Sequence, residues 1–178
     1  MDQKKMEMGQ AAFLLAQIGA HAASLFADRL SVLELAPADA GILRLLRGNA
    51  GISQQELAGR LKIHPSRLVA ILDNLEKRSL IERRSNPDDR RLYSLYLTKA
   101  GAEMLEQVGQ IARQHQQALC SGLSTEERER LTELLQKLAA HQGLAPGIHP
   151  GYQSLGPAPA KAGSRSRGRP KRLTSVLF

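Results

Sequence analysis

Apolar residues recur at helical spacing through most of the chain, and short polar breaks separate the runs. Residues 7–35 repeat apolar side chains every three or four positions, which predicts an amphipathic helix with one broad buried face. Pro37 fits the first turn of a second helix, where a missing N–H costs nothing. Ser53 and Glu56 have the spacing of a capping box that starts a short third helix, and Pro65 opens a fourth. The pattern therefore predicts two helices followed by a helix-turn-helix.

The spacing changes after Leu80 from that of helices to that of strands. Strand-forming residues flank the sequence Asn86-Pro87-Asp88-Asp89, whose residue types favour a tight turn, so a β-hairpin is expected. Helical spacing returns over residues 99–119, and a second capping box at Ser124 opens a last helix. The whole pattern predicts a mainly α winged helix-turn-helix protein, with about six helices and a β-hairpin wing.

Residues 143–178 differ from the rest of the chain in composition. They are rich in Gly, Pro, Ala and Ser, and they hold six of the 25 basic residues and none of the 17 acidic ones. The net charge of +8 therefore falls to +2 for residues 1–142. Large apolar residues are too few there to offset the entropy of ordering, so we predict a disordered basic tail. Such tails commonly bind nucleic acid or anionic membrane surfaces.

Several function classes are disfavoured by what the chain contains. A single cysteine, Cys120, excludes an internal disulfide framework or a multi-cysteine zinc site and fits a reducing cytoplasm. The histidines show no metal-ligand spacing, and no phosphate loop, nucleophile elbow or acid/base pair is apparent, so we predict no enzyme activity, metal or cofactor. Gln17 and His21 interrupt the apolar stretch Ala11–Ala27, which is short for a membrane span. A cytoplasmic protein without a membrane segment is expected.

The fourth predicted helix has the two faces that a DNA-reading helix needs. Its apolar positions would pack onto the third helix, which leaves short and hydrogen-bonding groups facing outward. Arg67 can pair with guanine, Val69 and Ala70 can contact a thymine methyl, and Ser66 can bind phosphate near the helix start. An ordinary surface helix with one arginine explains this helix equally well. The predicted outward face carries Ser66, Arg67, Ala70, Asn74 and Arg78, with Val69 and Asp73 at its margins, and Ser53, Gln54 and Pro65 complete the candidate contacts of the helix-turn-helix.

The hairpin favours DNA binding over that alternative. Arg90 and Arg91 follow the turn directly, and the narrow minor groove of A·T-rich DNA attracts inserted arginine. Asp88 and Asp89 would hold the arginines in one geometry, and Arg84 joins the candidate contacts of the wing. A solvated turn with local ion pairs is the alternative, and such pairs contribute little stability.

The hairpin and the fourth helix together resemble a known family. The run from Leu80 to Arg91, continued by Leu97-Thr98-Lys99-Ala100-Gly101, closely resembles the wing signature of the MarR family of bacterial transcription regulators. Pro65-Ser66 and the run from Leu72 to Glu76 are similar to that family's recognition helix. The likeness covers about residues 10–140. The chain departs from the family at residues 67–70, where relatives often have Thr-x-Thr-Arg, so no operator sequence is transferred.

The resemblance implies an arrangement of domains and partners. Residues 1–142 would form the MarR-type domain, with the winged helix-turn-helix at about 37–98 and dimerisation helices at about 7–35 and 99–142. An obligate homodimer would bind a pseudo-palindromic operator in double-stranded DNA, with Arg90 in the minor groove and Asp88 or Asp89 steadying it. Relatives often sense a small aromatic effector in a cleft beside the DNA-binding lobe. A ligand-responsive regulator, with repression favoured over activation, is the predicted function.

The tail adds a second DNA-binding candidate, which resembles an AT-hook at residues 167–172. Glycine allows close approach of the backbone, and two arginines can enter a narrow minor groove. A generic basic arm that binds any polyphosphate is the alternative. The tail also suggests a second function, an architectural, nucleoid-associated protein that binds A·T-rich DNA more broadly. The hook-like residues are Arg167, Gly168, Arg169, Pro170, Lys171 and Arg172.

Overall fold

Helices and a small antiparallel sheet make up the computed structural model, which describes residues 10–85 and 93–152. The sheet joins β1 (Ile52–Ser53), β3 (Tyr93–Leu97) and β2 (Ile81–Ser85) in that order. The predicted mainly α fold with a β-hairpin is confirmed. The elements are α1 (Gln10–Ser31), α2 (Pro37–Gly48), β1 (Ile52–Ser53), α3 (Gln54–Leu61), α4 (Pro65–Lys77), β2 (Ile81–Ser85), β3 (Tyr93–Leu97), α5 (Lys99–Leu119) and α6 (Thr125–His141), followed by a single 3₁₀ turn (Pro150–Tyr152).

The two predicted capping boxes differ in how completely they form. At the start of α6, the Ser124 N–H donates to the Glu127 carboxylate over 2.8 Å, and the Glu127 N–H donates back to the Ser124 hydroxyl over 3.3 Å. At the start of α3, the Glu56 N–H donates to Ser53 over 3.1 Å, but the Glu56 carboxylate pairs with Arg60 at 2.7 Å. The box at the start of α6 is thus reciprocal. The box at the start of α3 satisfies only one backbone donor, because Arg60, one helical turn away, binds the Glu56 carboxylate instead.

The sheet contains a strand that the sequence pattern did not reveal. Ile52 of β1 lies opposite Leu95 of β3, and the Gly51 N–H donates to the Leu95 carbonyl over 2.9 Å. A two-residue strand is too short to show alternation, and a turn precedes it directly. Its pairing ties the start of the helix-turn-helix to the hairpin, so the strands that precede α3 and follow α4 share one sheet.

The junction between the hairpin and α5 requires a glycine. The Thr98 hydroxyl donates to the Ser79 carbonyl over 2.7 Å and accepts the Gly101 N–H over 2.9 Å. A Cβ on Gly101 would lie 1.9 Å from the Leu80 carbonyl oxygen, so no larger residue fits this approach of α5 to the hairpin. The Thr-x-x-Gly sequence therefore fixes the hairpin against the helix that follows it.

The core lies between the helix-turn-helix, the sheet and the ends of α1 and α5. Leucine and isoleucine dominate it, as the low aromatic content predicts. Its fully enclosed large side chains are Leu30, Ile42, Leu43, Leu46, Leu57, Leu61, Leu68, Leu72, Leu75, Ile81 and Leu95.

Two helices keep their apolar faces largely outside that core. No residue of α6 is buried, and four of its leucines are 39–47% exposed. In α1, only Leu30 is buried, and this helix is the one in the described residues that is long and apolar enough to cross a membrane, by length and composition alone. The exposed apolar residues are Phe13, Leu14, Leu15 and Ile18 of α1 and Leu131, Leu134, Leu135 and Leu138 of α6.

The prediction of a disordered tail from residue 143 is corrected for its first ten residues. Residues 143–152, the C-terminal strap, pack back onto the domain, where Tyr152 is only 6% exposed. The Tyr152 hydroxyl donates to the Ala38 carbonyl over 3.0 Å, and Arg44 donates to the Gly147 carbonyl. Burial of the Tyr152 ring offsets part of the conformational entropy that is lost when residues 143–152 become ordered. Composition alone did not show this contribution. The rest of the predicted tail, 153–178, lies outside the described residues.

Candidate nucleic-acid interface

The two predicted faces of α4 are present in the structure. Its apolar positions are buried against the core, and Leu68, Leu72 and Leu75 are fully enclosed. The opposite side exposes Pro65, Ser66, Ala70, Asp73 and Asn74 to solvent, while Arg67 and Val69 are half-buried.

The start of α4 is shaped by the residue before it. His64 occupies the cap position without capping the helix through its side chain, and its Nδ1 lies 2.9 Å from the Ser66 hydroxyl. Pro65 takes the first helical position, as predicted. The Ser66 hydroxyl is therefore held at the exposed helix start, where free backbone N–H groups favour an anion.

A shallow cleft of about 480 Å³, the DNA-side cleft, lies beside this helix start. Gln54 and Gln55 of α3 line one wall, and the wing residue Tyr93, half-exposed, lines another. Amide and phenol groups can each donate and accept hydrogen bonds. The cleft thus brings together the three elements predicted to contact DNA, namely α3, α4 and the hairpin.

Arg67 is less free than an outward-facing reader would be. Its Nε atom is enclosed and has no hydrogen-bond partner among the described residues. It lies close enough to the buried Asp39 of α2 to act on that carboxylate. Burial raises the pKa of Asp39, and the Ala36 N–H and the charges of Arg78 and Arg67 oppose that rise. The positive charge of Arg67 therefore acts on Asp39 of α2 as well as on the exposed side of α4.

Arg78 does not belong to the outward face on which the sequence placed it. Its guanidinium donates to the Glu34 carbonyl over 2.6 Å and to the Leu33 carbonyl over 2.9 Å. Those carbonyls follow the end of α1 and cannot be satisfied within that helix. Because Arg78 binds them, it fixes α1 to α4 and is unavailable for DNA, which helical periodicity alone could not show.

Arg83 joins the wing to α4 and was not predicted. Its guanidinium pairs with Asp73 at 2.7 Å and also with Glu76, and its side chain is only 15% exposed. The Arg83 N–H donates to Glu76 as well, over 3.2 Å. Two carboxylates beside the exposed face of α4 are thereby neutralised, which reduces the repulsion that they would exert on a phosphate group. Arg83 also sets the position of β2 relative to α4.

Arg84 lies on the exposed side of the wing. Its guanidinium stacks 4.5 Å from the centre of the Tyr96 ring, and its Nε donates to Glu82 over 3.1 Å. Its Nη2 also pairs with Glu82 at 2.5 Å, so a carboxylate and an aromatic face together hold the guanidinium on this side of the wing. The wing contacts predicted at Asp88, Arg90 and Arg91 lie outside the described residues, as do those of the tail at 167–172.

Comparisons with known proteins agree with this arrangement. The family model for the MarR family matches residues 35–93. A putative transcriptional regulatory protein for the hcr operon of Thauera aromatica is 33% identical over 114 residues, which cover 64% of this chain and 69% of that protein. The chain belongs to the MarR family. Its members are transcription regulators rather than enzymes, as the sequence predicted.

Solved MarR-family structures with DNA share the fold. The transcriptional repressor CouR bound to a 23-mer DNA duplex matches with a TM-score of 0.65 and 32% identity, covering 72% of this chain and 91% of that one. A mutant of Escherichia coli MarR in complex with operator DNA matches with a TM-score of 0.63 and 29% identity, covering 74% and 95%. The likeness therefore extends beyond the segment that the family model matches.

A second, larger cavity of about 580 Å³ lies on the other side of α2 in this MarR-family chain. This central cavity is bounded by α1, α2, α5 and the C-terminal strap. Burial raises the pKa of Tyr152 to about 12, so its phenol stays protonated near neutral pH. The family resemblance predicted an effector cleft beside the DNA-binding lobe, but sequence reasoning named none of its residues, because the walls of this cavity come from four separate segments. They include Phe26, Gly41, Arg44, Arg47, Val108 and Tyr152.

No group of three or more His, Cys, Asp or Glu side chains in residues 10–85 and 93–152 could hold a metal ion. Cys120 is half-buried at the end of α5, where its backbone caps the helix.

Proposed function

We propose that this chain is a homodimeric transcription regulator that binds a pseudo-palindromic operator. The α4 helix would enter the major groove and the wing an adjacent minor groove. The observation that carries the proposal is the start of α4, which presents Pro65, Ser66, Ala70 and Asn74 outward over a fully buried underside. A helix that reads bases needs this combination, because its position must be fixed while its outer groups stay short.

The dimer is supported by the apolar faces of α1 and α6. A stripe of four half-exposed leucines on one helix is costly in water, and a second copy of the same stripe would cover it. The exposed apolar residues of α1 lie in its first half, at least 15 residues before the Leu33 and Glu34 carbonyls that Arg78 binds, so pairing through them would leave the exposed face of α4 open. A two-fold dimer would present two α4 helices to half-sites about one DNA turn apart, roughly 34–36 Å.

The contacts proposed with DNA fall into two groups by chemistry. Ser53, Gln54, Pro65 and Ser66 lie near the starts of α3 and α4, where phosphate is favoured. Base edges would be read from the middle of α4, with Arg84 and the turn of the wing beside it. Base contacts are proposed for Arg67, Val69, Ala70 and Asn74, and groove or phosphate contacts for Arg84, Asp88, Arg90 and Arg91.

The central cavity supports a small-molecule effector that releases DNA. Its volume falls in the range of ligand pockets, about 300–1,000 Å³. Its walls are mostly apolar, and its lining includes Arg44, which donates to the Gly147 carbonyl, and Arg47, which pairs with Glu106 at 2.7 Å. An aromatic molecule with a negative charge would suit these walls by taking the place of one of those partners. It touches both α2 and the α1 and α5 helices, so a bound molecule can bias how the DNA-binding lobe sits on the dimer.

Broader binding to A·T-rich DNA is the second candidate function. It is favoured by the acid-free basic sequence of residues 153–178, with its Arg-Gly-Arg-Pro core. Genome-wide occupancy separates the two functions, because a specific regulator gives few sharp sites and an architectural protein gives many broad A·T-rich footprints.

Loss of the wing arginine tests the specific regulator. Binding sites are first selected from random duplexes with the full chain, and affinity for the selected site is then measured by fluorescence anisotropy at fixed salt. Arg90→Ala should weaken binding by ~1–3 kcal/mol, because it removes a groove contact. Arg130→Ala is the matched control, since Arg130 is an exposed arginine of α6 whose partner is Glu133. Equal affinities for the two variants would show that the wing does not contact DNA.

A further inference from the structure

The C-terminal strap closes one side of the central cavity. His149 and Tyr152 of the strap line the cavity together with residues of α1, α2 and α5. The Tyr152 ring is buried, and its hydroxyl donates to the Ala38 carbonyl at the start of α2. A side chain of this chain thus fills space that the other three walls would otherwise leave open.

The strap is attached to the domain mainly through Tyr152. Residues 143–147 are exposed, and Leu144 is 46% exposed although it is apolar. Bonds from Tyr152 to Ala38 and from Arg44 to Gly147 join the strap to α2. Other bonds of the strap are local, such as the Tyr152 N–H to the His149 carbonyl at 3.2 Å. Ile148 is half-buried against the core and Tyr152 is buried, while the rest of the strap is largely exposed. A segment with so few buried apolar contacts opens at a small fraction of the free energy of global unfolding.

The fit of Tyr152 depends on a glycine in the facing helix. A Cβ on Gly41 of α2 would lie 1.8 Å from the Tyr152 hydroxyl oxygen and 3.0 Å from its ring carbon Cζ. Alanine at position 41 would therefore expel the ring. The same change favours the helix itself, because alanine has a higher helix propensity than glycine. The Gly41→Ala substitution should consequently undock the strap without truncating any side chain of α1, α2 or α5 that lines the cavity.

We propose that the C-terminal strap is a lid over the central cavity, latched by Tyr152, and that a ligand must displace the latch to fill the cavity. The closed lid lowers apparent ligand affinity by the fraction of time for which it is open. The inference rests on the effector cavity of the proposed function and does not require DNA binding.

Binding of 8-anilinonaphthalene-1-sulfonate, an anionic aromatic fluorophore, tests the lid in the full chain. Gly41→Ala and Tyr152→Ala should each bind the probe about tenfold more tightly than the unaltered chain, as expected if the lid is open about a tenth of the time. Gly48→Ala is the matched control, because Gly48 lies in the same helix and a Cβ there meets nothing within 4 Å. Unchanged or weaker binding to Gly41→Ala, with helicity and melting temperature retained, would overturn the lid.

A second measurement covers the case in which the Gly41 variant fails to fold. The chain has three tyrosines, so fluorotyrosine labelling gives three ¹⁹F signals, and Tyr152→Phe assigns the latch. Saturating probe should move the Tyr152 signal toward that of an exposed tyrosine, and a Tyr152 signal that does not move would refute displacement. Neither readout contains DNA. A lid that opens in a chain that fails to select an operator would contradict the proposed function alone.

Discussion

The helices α4 and α6 carry similar stripes of leucine but end in opposite environments. Leu68, Leu72 and Leu75 of α4 are completely enclosed by the chain's own core. Leu131 and Leu135 of α6 stay about 40% exposed, and no residue of α6 is buried. Periodicity is the same in both helices, so it identifies which face is apolar and not what covers it.

The difference separates two kinds of stability. Burial in α4 is intramolecular and fixes the position of the candidate reading face whatever the protein concentration. A stripe left outside the fold is stabilising only when a partner covers it, and that contribution depends on concentration. The candidate DNA-reading helix α4 is therefore positioned by folding of the single chain, and α1 and α6 remain available for the proposed dimer.

Leucine truncation in the two helices should give the largest difference. Leu72→Ala should lower the free energy of unfolding by ~2–5 kcal/mol at every protein concentration, because it leaves a cavity in the core. Leu135→Ala should mainly weaken the dimer, so its effect on the melting temperature should shrink as the chain is diluted. Sedimentation and melts over a range of concentrations measure both effects. A concentration-independent loss in Leu135→Ala would show that α6 packs within its own chain.

Removal of Arg83, which pairs with α4, and of Arg130, which lies on α6, should give a smaller difference in stability. Arg83→Ala should cost about 1–2 kcal/mol, because it leaves Asp73 and Glu76 without their largely buried partner. Arg130→Ala should change stability by less than about 0.5 kcal/mol, since the exposed pair with Glu133 is screened by water. Urea unfolding of both variants measures the difference. Comparable losses would mean that Arg83 does not hold the wing to α4.

The smallest expected effects concern pH. The stability contributions of Asp39 and Glu126 should change in opposite directions as the pH rises. Burial raises the pKa of Asp39 above its ordinary 3.8, so stability present below that pH is lost as the pH rises and the buried group ionises. The hydrogen bond from Ser124 lowers the pKa of Glu126 from 4.5, so its contribution is present above that pH and is lost as the pH falls. Thermal melts between about pH 3 and 7 measure this. As the pH rises, the melting temperature of Asp39→Asn should increase relative to that of the unaltered chain, and that of Glu126→Gln should decrease relative to it. The same sign for both variants would refute this account.

Local sequence rules identified most of the elements and the family, but not the partners of charged groups. The bounds of α3 and α5 follow from caps, glycine and periodicity. Arg78 was predicted to face outward, and instead it binds carbonyls beyond the end of α1, more than 40 residues away. The strand β1, the Arg83 pairs and the Tyr152 contact were all missed for a similar reason, since each depends on a partner outside its own element.

The sequence by itself determined the order of the helices and of the hairpin strands, the apolar face of each helix and the wing signature of the MarR family. Those features depend on residues within a few positions of one another, where spacing fixes geometry. Only the tertiary structure decided which apolar face is covered, where Arg67 and Arg78 point, and that Tyr152 closes the central cavity against Gly41. Such outcomes depend on how segments meet in space, and close packing makes them sensitive to a single missing Cβ.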